Sequence, residues 1–179
     1  MKLLKTALLS VLLILCAVKS SARVHEYRYV ETYCQYIPVL FILSSDLFGI
    51  ESKHEFLPRV INLGTTVLCQ TAITYPLKWC IKEERPDGTA YNSFPSGHTA
   101  ATFASAEMIR MEYGWGWGAV FYVNAVFTGA MRVVHKRHWW WDTAAGAVIG
   151  IGSAHLGKLA SDRINLALFP DSFTLTYNF

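Results

Sequence analysis

Two histidines forty positions apart, His98 and His138, each stand among residues suited to phosphoryl chemistry. His98 closes the run Phe94-Pro95-Ser96-Gly97-His98, a Pro and Gly turn leading into a stretch of small residues that reads as a helix. Ser96 then caps or precedes the first turn, where unbonded amides and the positive helix end face whatever sits there. Gly97 lets the backbone come close to a ligand. A hydroxyl, exposed amides and an imidazole make a phosphate site with an acid attached, although the same run alone reads as an N-cap beside a histidine.

His138 lies in Arg132-Val133-Val134-His135-Lys136-Arg137-His138-Trp139-Trp140-Trp141-Asp142. His138 and Asp142 are four apart, which on a helix puts them on one side. The carboxylate can then accept the proton of one ring nitrogen and leave the other free to attack, the logic of a triad without its serine. A divalent metal held by His135, His138 and Asp142 is disfavoured by the neighbouring cations. Lys78 and Arg85 are seven apart, so a helix that continues beyond Pro76 projects both from one side before Pro86 helps to stop it. Two cations there can converge on one anion, although basic residues near a helix C-terminus also complement its dipole. Lys82, Lys136 and Arg137 read as solvated end-caps.

Lys78 with six residues before Arg85-Pro86, then Pro95-Ser96-Gly97-His98, then Arg132 with five residues before His138 and three more before Asp142, form an ordered triple. In order and spacing it resembles the motifs of the type 2 phosphatidic acid phosphatase and vanadium haloperoxidase superfamily. With its flanking helices the resemblance covers about two-thirds of the chain. It implies an all-α fold, a single helical bundle of about five to six helices. It also implies that Lys78, Arg85 and Arg132 hold phosphoryl oxygens, with Ser96 and the Gly97 amide completing the cradle. His138 is then the nucleophile that forms a phosphohistidine, Asp142 orients it, and His98 protonates the leaving group and afterwards activates water. No metal or other cofactor is implied, and vanadate is expected to act as a phosphate mimic or inhibitor. Met131 departs from the pattern, since the family usually has Ser before the arginine.

The implied activity is hydrolysis of phosphomonoester or pyrophosphate groups, with lipids such as phosphatidic acid, phosphatidylglycerol phosphate, polyprenyl pyrophosphate or lipid A as substrates. The alternatives are a soluble periplasmic acid phosphatase, a vanadium-dependent haloperoxidase and an inactive envelope protein.

Composition points to either a tightly packed helical domain or a membrane protein and does not choose between them. Of 179 residues, 53% are apolar and 16% charged, which excludes disordered, collagen-like and coiled-coil classes. Lys2 and Lys5 precede the apolar run Thr6 to Val18, and Ser20-Ser21-Ala22 supplies a small-residue cleavage site, so residues 1–22 read as a secretory signal peptide and 23–179 as one domain. Setting aside Lys2, Lys5 and Lys19 leaves 13 basic residues against 13 acidic ones, which gives no broad footprint for nucleic acid. The expected location is the bacterial cell envelope, exported, with a membrane and its phosphorylated lipids as partners. Cys34, Cys69 and Cys80 are expected to be buried free thiols, because a rise of about 16 Å separates positions eleven apart on one helix. Apolar clusters at Tyr36 to Ile50, Val60 to Ile81, Thr99 to Met111, Tyr113 to Val134 and Thr143 to Ala160 mark the helices. Two of them approach spanning length but are diluted by Asn62, Gln70, Asn124, Thr and Gly. The run Trp139 to Trp141 suits an interface, and Ser172 to Phe179 alternates with a strand period.

Overall fold

A computed structural model describes residues 30–168, so the expected leader (1–22) and the alternating tail (172–179) lie outside the described residues. The described chain is helical: α1 Val30–Cys34, α2 Ile37–Ser44, a 3-10 turn Ser45–Phe48, α3 Phe56–Cys80, α4 Gly97–Tyr113, α5 Trp115–Val134 and α6 Trp140–Leu168. The four long helices follow the apolar clusters read from the sequence. α4 is central, packed on α3, α5 and α6, and α3 lies along α6.

The residues that dilute the apolar clusters are the ones turned inward. On α3, Asn62, Thr66, Gln70 and Thr74 are buried while Leu57, Val67, Leu68, Tyr75 and Trp79 are exposed. Buried polar groups must find partners. Thr65 Oγ1 accordingly donates to the Gly157 carbonyl at 2.8 Å, and Gln70 Nε2 donates to Thr74 Oγ1 at 2.9 Å. The same inversion recurs on α5, where Asn124, Thr128 and Arg132 are buried and Val123, Val126 and Val134 are exposed. The apolar core proper lies in the half of the bundle away from the start of α4, around Ile42, Met108, Ile109, Trp117 and Phe121.

Small residues let α6 approach α4 closely. A Cβ at Gly146 would sit 2.6 Å from the Ser96 carbonyl oxygen and 3.2 Å from Thr99 Cβ. At Gly150 a Cβ would collide with the Ala100 carbonyl oxygen. Gly152 on the same helix faces open space. Gly146→Ala is therefore expected to lose about 1–3 kcal/mol of stability in a denaturant titration, through overpacking against the turn before α4. Gly152→Ala, relieved of the helix penalty of glycine, is expected to gain about 0.5–1 kcal/mol.

A polar staple closes the end of the bundle opposite Gly97. Arg59, buried in α3, forks onto Asp46 with nitrogen to oxygen distances of 3.0 and 2.5 Å. Glu112 at the end of α4 receives the His54 amide at 2.6 Å and bonds His54 Nδ1 at 2.8 Å. With about 1.5 Å per residue, the 17-residue α4 holds this staple roughly 25 Å from its own N-terminus.

Among the described cysteines Cys34 is buried, whereas Cys69 is a half-buried and Cys80 an exposed free thiol, because the latter two fall on outward-turned parts of α3.

Candidate active site

The groups singled out in the sequence converge where the C-terminus of α3, the N-terminus of α4, the C-terminus of α5 and the N-terminus of α6 meet. Lys78 lies in the last turn of α3 and Arg132 in the last turn of α5. Arg85 does not share the helix with Lys78. α3 ends at Cys80 with Ile81 extended, and residues 83–93 fold back on themselves instead. The Arg85 amide donates to the Ala90 carbonyl at 2.9 Å and the Ser93 amide to the Glu83 carbonyl at 3.0 Å. Backbone groups satisfied across the loop have no need of another helical turn. Arg85 therefore reaches the site from the loop, and its Nε is buried without a hydrogen-bond partner.

Ser96 is the N-cap of α4, preceded by a cis Phe94–Pro95 bond. Its side chain is fully buried and its Oγ bonds Thr99 Oγ1 at 2.8 Å. The Ser96 amide donates to the Asp142 carbonyl at 3.0 Å, which ties the turn before α4 to the first turn of α6. A Cβ added at Gly97 would meet Thr74 Cγ2 at 3.8 Å and Lys78 Cε at 3.9 Å, ordinary contacts, so protein packing alone does not demand glycine there.

His138 and Asp142 meet, though not as neighbours on a helix face. α6 begins at Trp140, so His138 precedes the helix and Asp142 is its third residue. Asp142 Oδ2 reaches back to accept the Trp139 amide at 2.9 Å, in the manner of a capping box, and accepts Ser93 Oγ–H at 2.5 Å. His138 Nδ1 lies 3.5 Å from the same carboxylate oxygen but only 2.8 Å from the Ser93 carbonyl. A carbonyl only accepts, so Nδ1 carries the proton and Nε2 keeps a lone pair. Ser93, which no sequence signal marked, thus sets the tautomer jointly with Asp142. Lys78 Nζ also bonds the Ser93 loop, at 2.9 Å to the Asn92 carbonyl and 3.4 Å to that of Ser93.

Burial depresses the basicity of both rings. His98 is held down to about 4, first by burial and then by Arg132, His138, Lys78 and Arg85. His138 is lowered by burial and by the Arg132, Lys78 and Arg85 charges, against the opposing hydrogen bond of Asp142. Lys78 falls to about 8 through burial and repulsion by Arg85 and Arg132, with Asp142 opposing. These mutual effects place two imidazoles and three cations within electrostatic reach of one another. A lysine is charged below its pKa, so affinity for an anionic inhibitor such as vanadate or phosphate is expected to fall as pH rises through about 8. A KI profile from pH 6 to 9.5 checks this, and Lys78→Arg is expected to shift the break upward.

The surrounding loops are fastened to each other. Arg137, read from sequence as a solvated cap, instead bonds Asp87 at 3.0 Å with both side chains mostly buried, and so joins the loop before His138 to the loop carrying Arg85. Trp139 Nε1 donates to the Glu84 carbonyl and Trp141 Nε1 to Glu83 Oε1, at 2.9 and 2.8 Å. The two indoles stack with centroids 5.1 Å apart, while Trp140 stands out into the surroundings. A cleft of about 650 Å³ opens beside Lys78 between Trp79, Lys82, Tyr91 and Asn92.

The sequence pattern of the PAP2 superfamily matches residues 59–165, which contain every one of these groups. The chain belongs to the PAP2 superfamily. Within that superfamily it is similar to the lipid A 1-phosphatase of Porphyromonas gingivalis, 35% identical over 142 residues, a match covering 75% of this chain and 31% of that protein. The chain thus spans about a third of the length of that curated relative. Its fold is similar to the crystal structure of Aquifex aeolicus LpxE, with a TM-score of 0.60 and 25% identity over 76% of this chain and 87% of that one. The all-α bundle expected from the motifs is thereby the PAP2 fold.

Proposed function

We propose that this PAP2 protein is a phosphatase that hydrolyses phosphate groups of membrane lipids through a phosphohistidine at His138. The observation that carries this reading is a buried, Nδ1-protonated His138 set among Lys78, Arg85 and Arg132 and facing the electrostatic field of a second histidine. His138 Nε2 attacks phosphorus as the bond from phosphorus to the ester oxygen breaks, and His98 gives its proton to that oxygen. His98 then takes a proton from water, the resulting hydroxide attacks phosphorus, and the bond to Nε2 breaks to release phosphate and restore His138. Lys78, Arg85, Arg132 and the Gly97 amide stabilise the charge on the transferring group, a task that elsewhere falls to magnesium. Asp142 and the Ser93 carbonyl balance the positive charge on the phosphorylated ring. Ser96, with its hydroxyl turned to Thr99, acts by holding the turn that presents those amides.

The relatives and the outside of the bundle support a lipid as the substrate class. The Porphyromonas relative is named a lipid A 1-phosphatase, which supports a phosphorylated lipid as the substrate here. The apolar faces of α3, α5 and α6, exposed at Leu68, Val123, Val126, Val148 and Leu159, suit contact with lipid. Among the described residues one helix, α5, is long and apolar enough to cross a membrane by length and composition, with 44% of it buried in the bundle. A membrane-associated location in the bacterial envelope, with the catalytic loops at the interface, fits these features and the exposed Trp140. Phosphate release from lipid A, phosphatidic acid, phosphatidylglycerol phosphate, polyprenyl pyrophosphate and a water-soluble aryl phosphate tests the reading, each with chelator and with vanadate. Chelator-resistant, vanadate-sensitive release that favours a lipid is the expected result. Activity that needs an added divalent ion, or vanadate-dependent bromination in its place, would defeat it.

A further inference from the structure

A second carboxyl group lies beside the dyad of His138 and Asp142, and the reaction scheme above leaves it unused. Glu83 sits in the loop after α3, where its main-chain carbonyl holds the Ser93 amide at 3.0 Å and its Oε1 accepts Trp141 Nε1–H at 2.8 Å. It is thus anchored to the residue that fixes the His138 tautomer and to the residue next to Asp142. Its other oxygen, Oε2, is buried without a hydrogen-bond partner, and so is Asp142 Oδ1. Ser93 bonds both residues, Glu83 through its amide and Asp142 through its hydroxyl, and each carboxyl bears on the proton affinity of the other.

Two ionised carboxylates only accept, so a bond between them requires a proton on one. Asp142 Oδ2 already receives Ser93 Oγ–H and the Trp139 amide, with His138 Nδ1 nearby. Glu83 receives a single indole N–H. The better-solvated charge belongs on Asp142 and the proton on Glu83. The electrostatics point the same way. Burial and the neighbouring Asp142 push Glu83 up, whereas hydrogen bonds from His138, Ser93, Glu83 and Trp139 outweigh burial and bring Asp142 down.

We propose that Glu83 is a positioning residue whose protonated carboxyl donates a hydrogen bond to Asp142 Oδ1, locking the carboxylate that steadies His138. The pair then carries one negative charge instead of two. One charge balances the ring as it becomes phosphorylated; a second would repel the incoming phosphate. The adjacent Glu84 is exposed and lends only its main-chain carbonyl, so side-chain type alone does not make a carboxyl in this loop part of the dyad.

The catalytic consequence rests on the phosphatase reading, while the proton itself does not. Infrared difference spectra of the full chain, wild type minus Glu83→Gln at pH 7, are expected to show the C=O stretch of a protonated carboxyl. In turnover, Glu83→Ala is expected to lower kcat by about 10- to 100-fold, the worth of one hydrogen bond to a charged group, with KM within about threefold. Glu83→Gln is expected to retain kcat within about threefold, because its amide N–H still donates to Oδ1 and its carbonyl still accepts from Trp141. Glu84→Ala is expected to match the wild type. A spectrum without the protonated-carboxyl band, or a Gln variant as impaired as the Ala variant, overturns the proposal. Absence of turnover in the wild type overturns the phosphatase reading, and the infrared band still decides the proton.

Discussion

Replacing His138 with alanine is expected to lower phosphate release by about 10⁴-fold or more, because the proposed nucleophile of a two-step reaction has no substitute in the site. The ring is buried and holds the Ser93 carbonyl at 2.8 Å, so alanine also leaves a cavity and an unmet acceptor. Such a change costs about 1–3 kcal/mol. His138→Asn separates the two effects, since its side-chain amide can still donate to Ser93 but presents no ring nitrogen to phosphorus. Both variants are expected to lose turnover while the Asn variant keeps a denaturation midpoint near that of the wild type. Rapid quenching of the wild type with a radiolabelled substrate should trap an acid-labile phosphoprotein absent from both. Retention of more than about one per cent of turnover in the Asn variant would remove His138 from the nucleophile's role.

The elements that bring His138 to this position were largely legible, and the reason is physical. Long apolar clusters broken by Pro, Gly and charge give helix boundaries within a few residues of α3, α4 and α5 and of the start of α6, whose end runs on to Leu168 beyond the Thr143 to Ala160 cluster. The polar residues inside those clusters were legible only as dilution. Their direction was hidden, because a period of 3.6 says which residues share a face and not whether that face is turned inward. Asn62, Gln70 and Asn124 prove to be the buried faces, an arrangement that suits a bundle with an apolar outside.

Local geometry was less accessible than composition. His138 and Asp142 were read as neighbours on a helix face, yet the helix starts between them, and a carboxylate at its third position folds back onto its cap. Helix starts depend on capping bonds that four-residue spacing does not reveal. Arg85 would share a side with Lys78 only on a helix continued well beyond Pro76, but loop hydrogen bonds from residues 83–93 end α3 first. Ser93 carries the contact that fixes the tautomer through a main-chain carbonyl, a group every residue possesses, so no side-chain pattern could single it out. Arg137 and Glu83 found partners across the chain, Asp87 and Trp141, at separations that a local reading does not reach.

Removing His98 is expected to have the second-largest effect, and its form depends on the leaving group. A general acid–base residue contributes about 10²–10⁴-fold, so His98→Ala is expected to slow hydrolysis of an alkyl phosphate by that range. An aryl phosphate with an acidic leaving group does not need the proton, and its first step should be nearly unaffected. The second step still needs a base for water. The variant is therefore expected to give a burst of one phenolate per active site and then stall, with phosphohistidine accumulating on His138. Protonation adds a second signature. Burial and four neighbouring basic groups, Arg132, His138, Lys78 and Arg85, hold His98 down to about 4, so near pH 7 it needs a further negative charge beside it before it can act as an acid. A bound phosphate dianion offsets those charges and raises the ring's proton affinity. Binding of phosphate or vanadate between about pH 5 and 7 should then take up a proton, seen in calorimetry as heats that vary with the ionisation enthalpy of the buffer. Loss of that uptake in His98→Ala, together with the stalled burst, is the expected pair of outcomes. An aryl substrate turned over steadily by the variant would instead assign the water-activating role to another group.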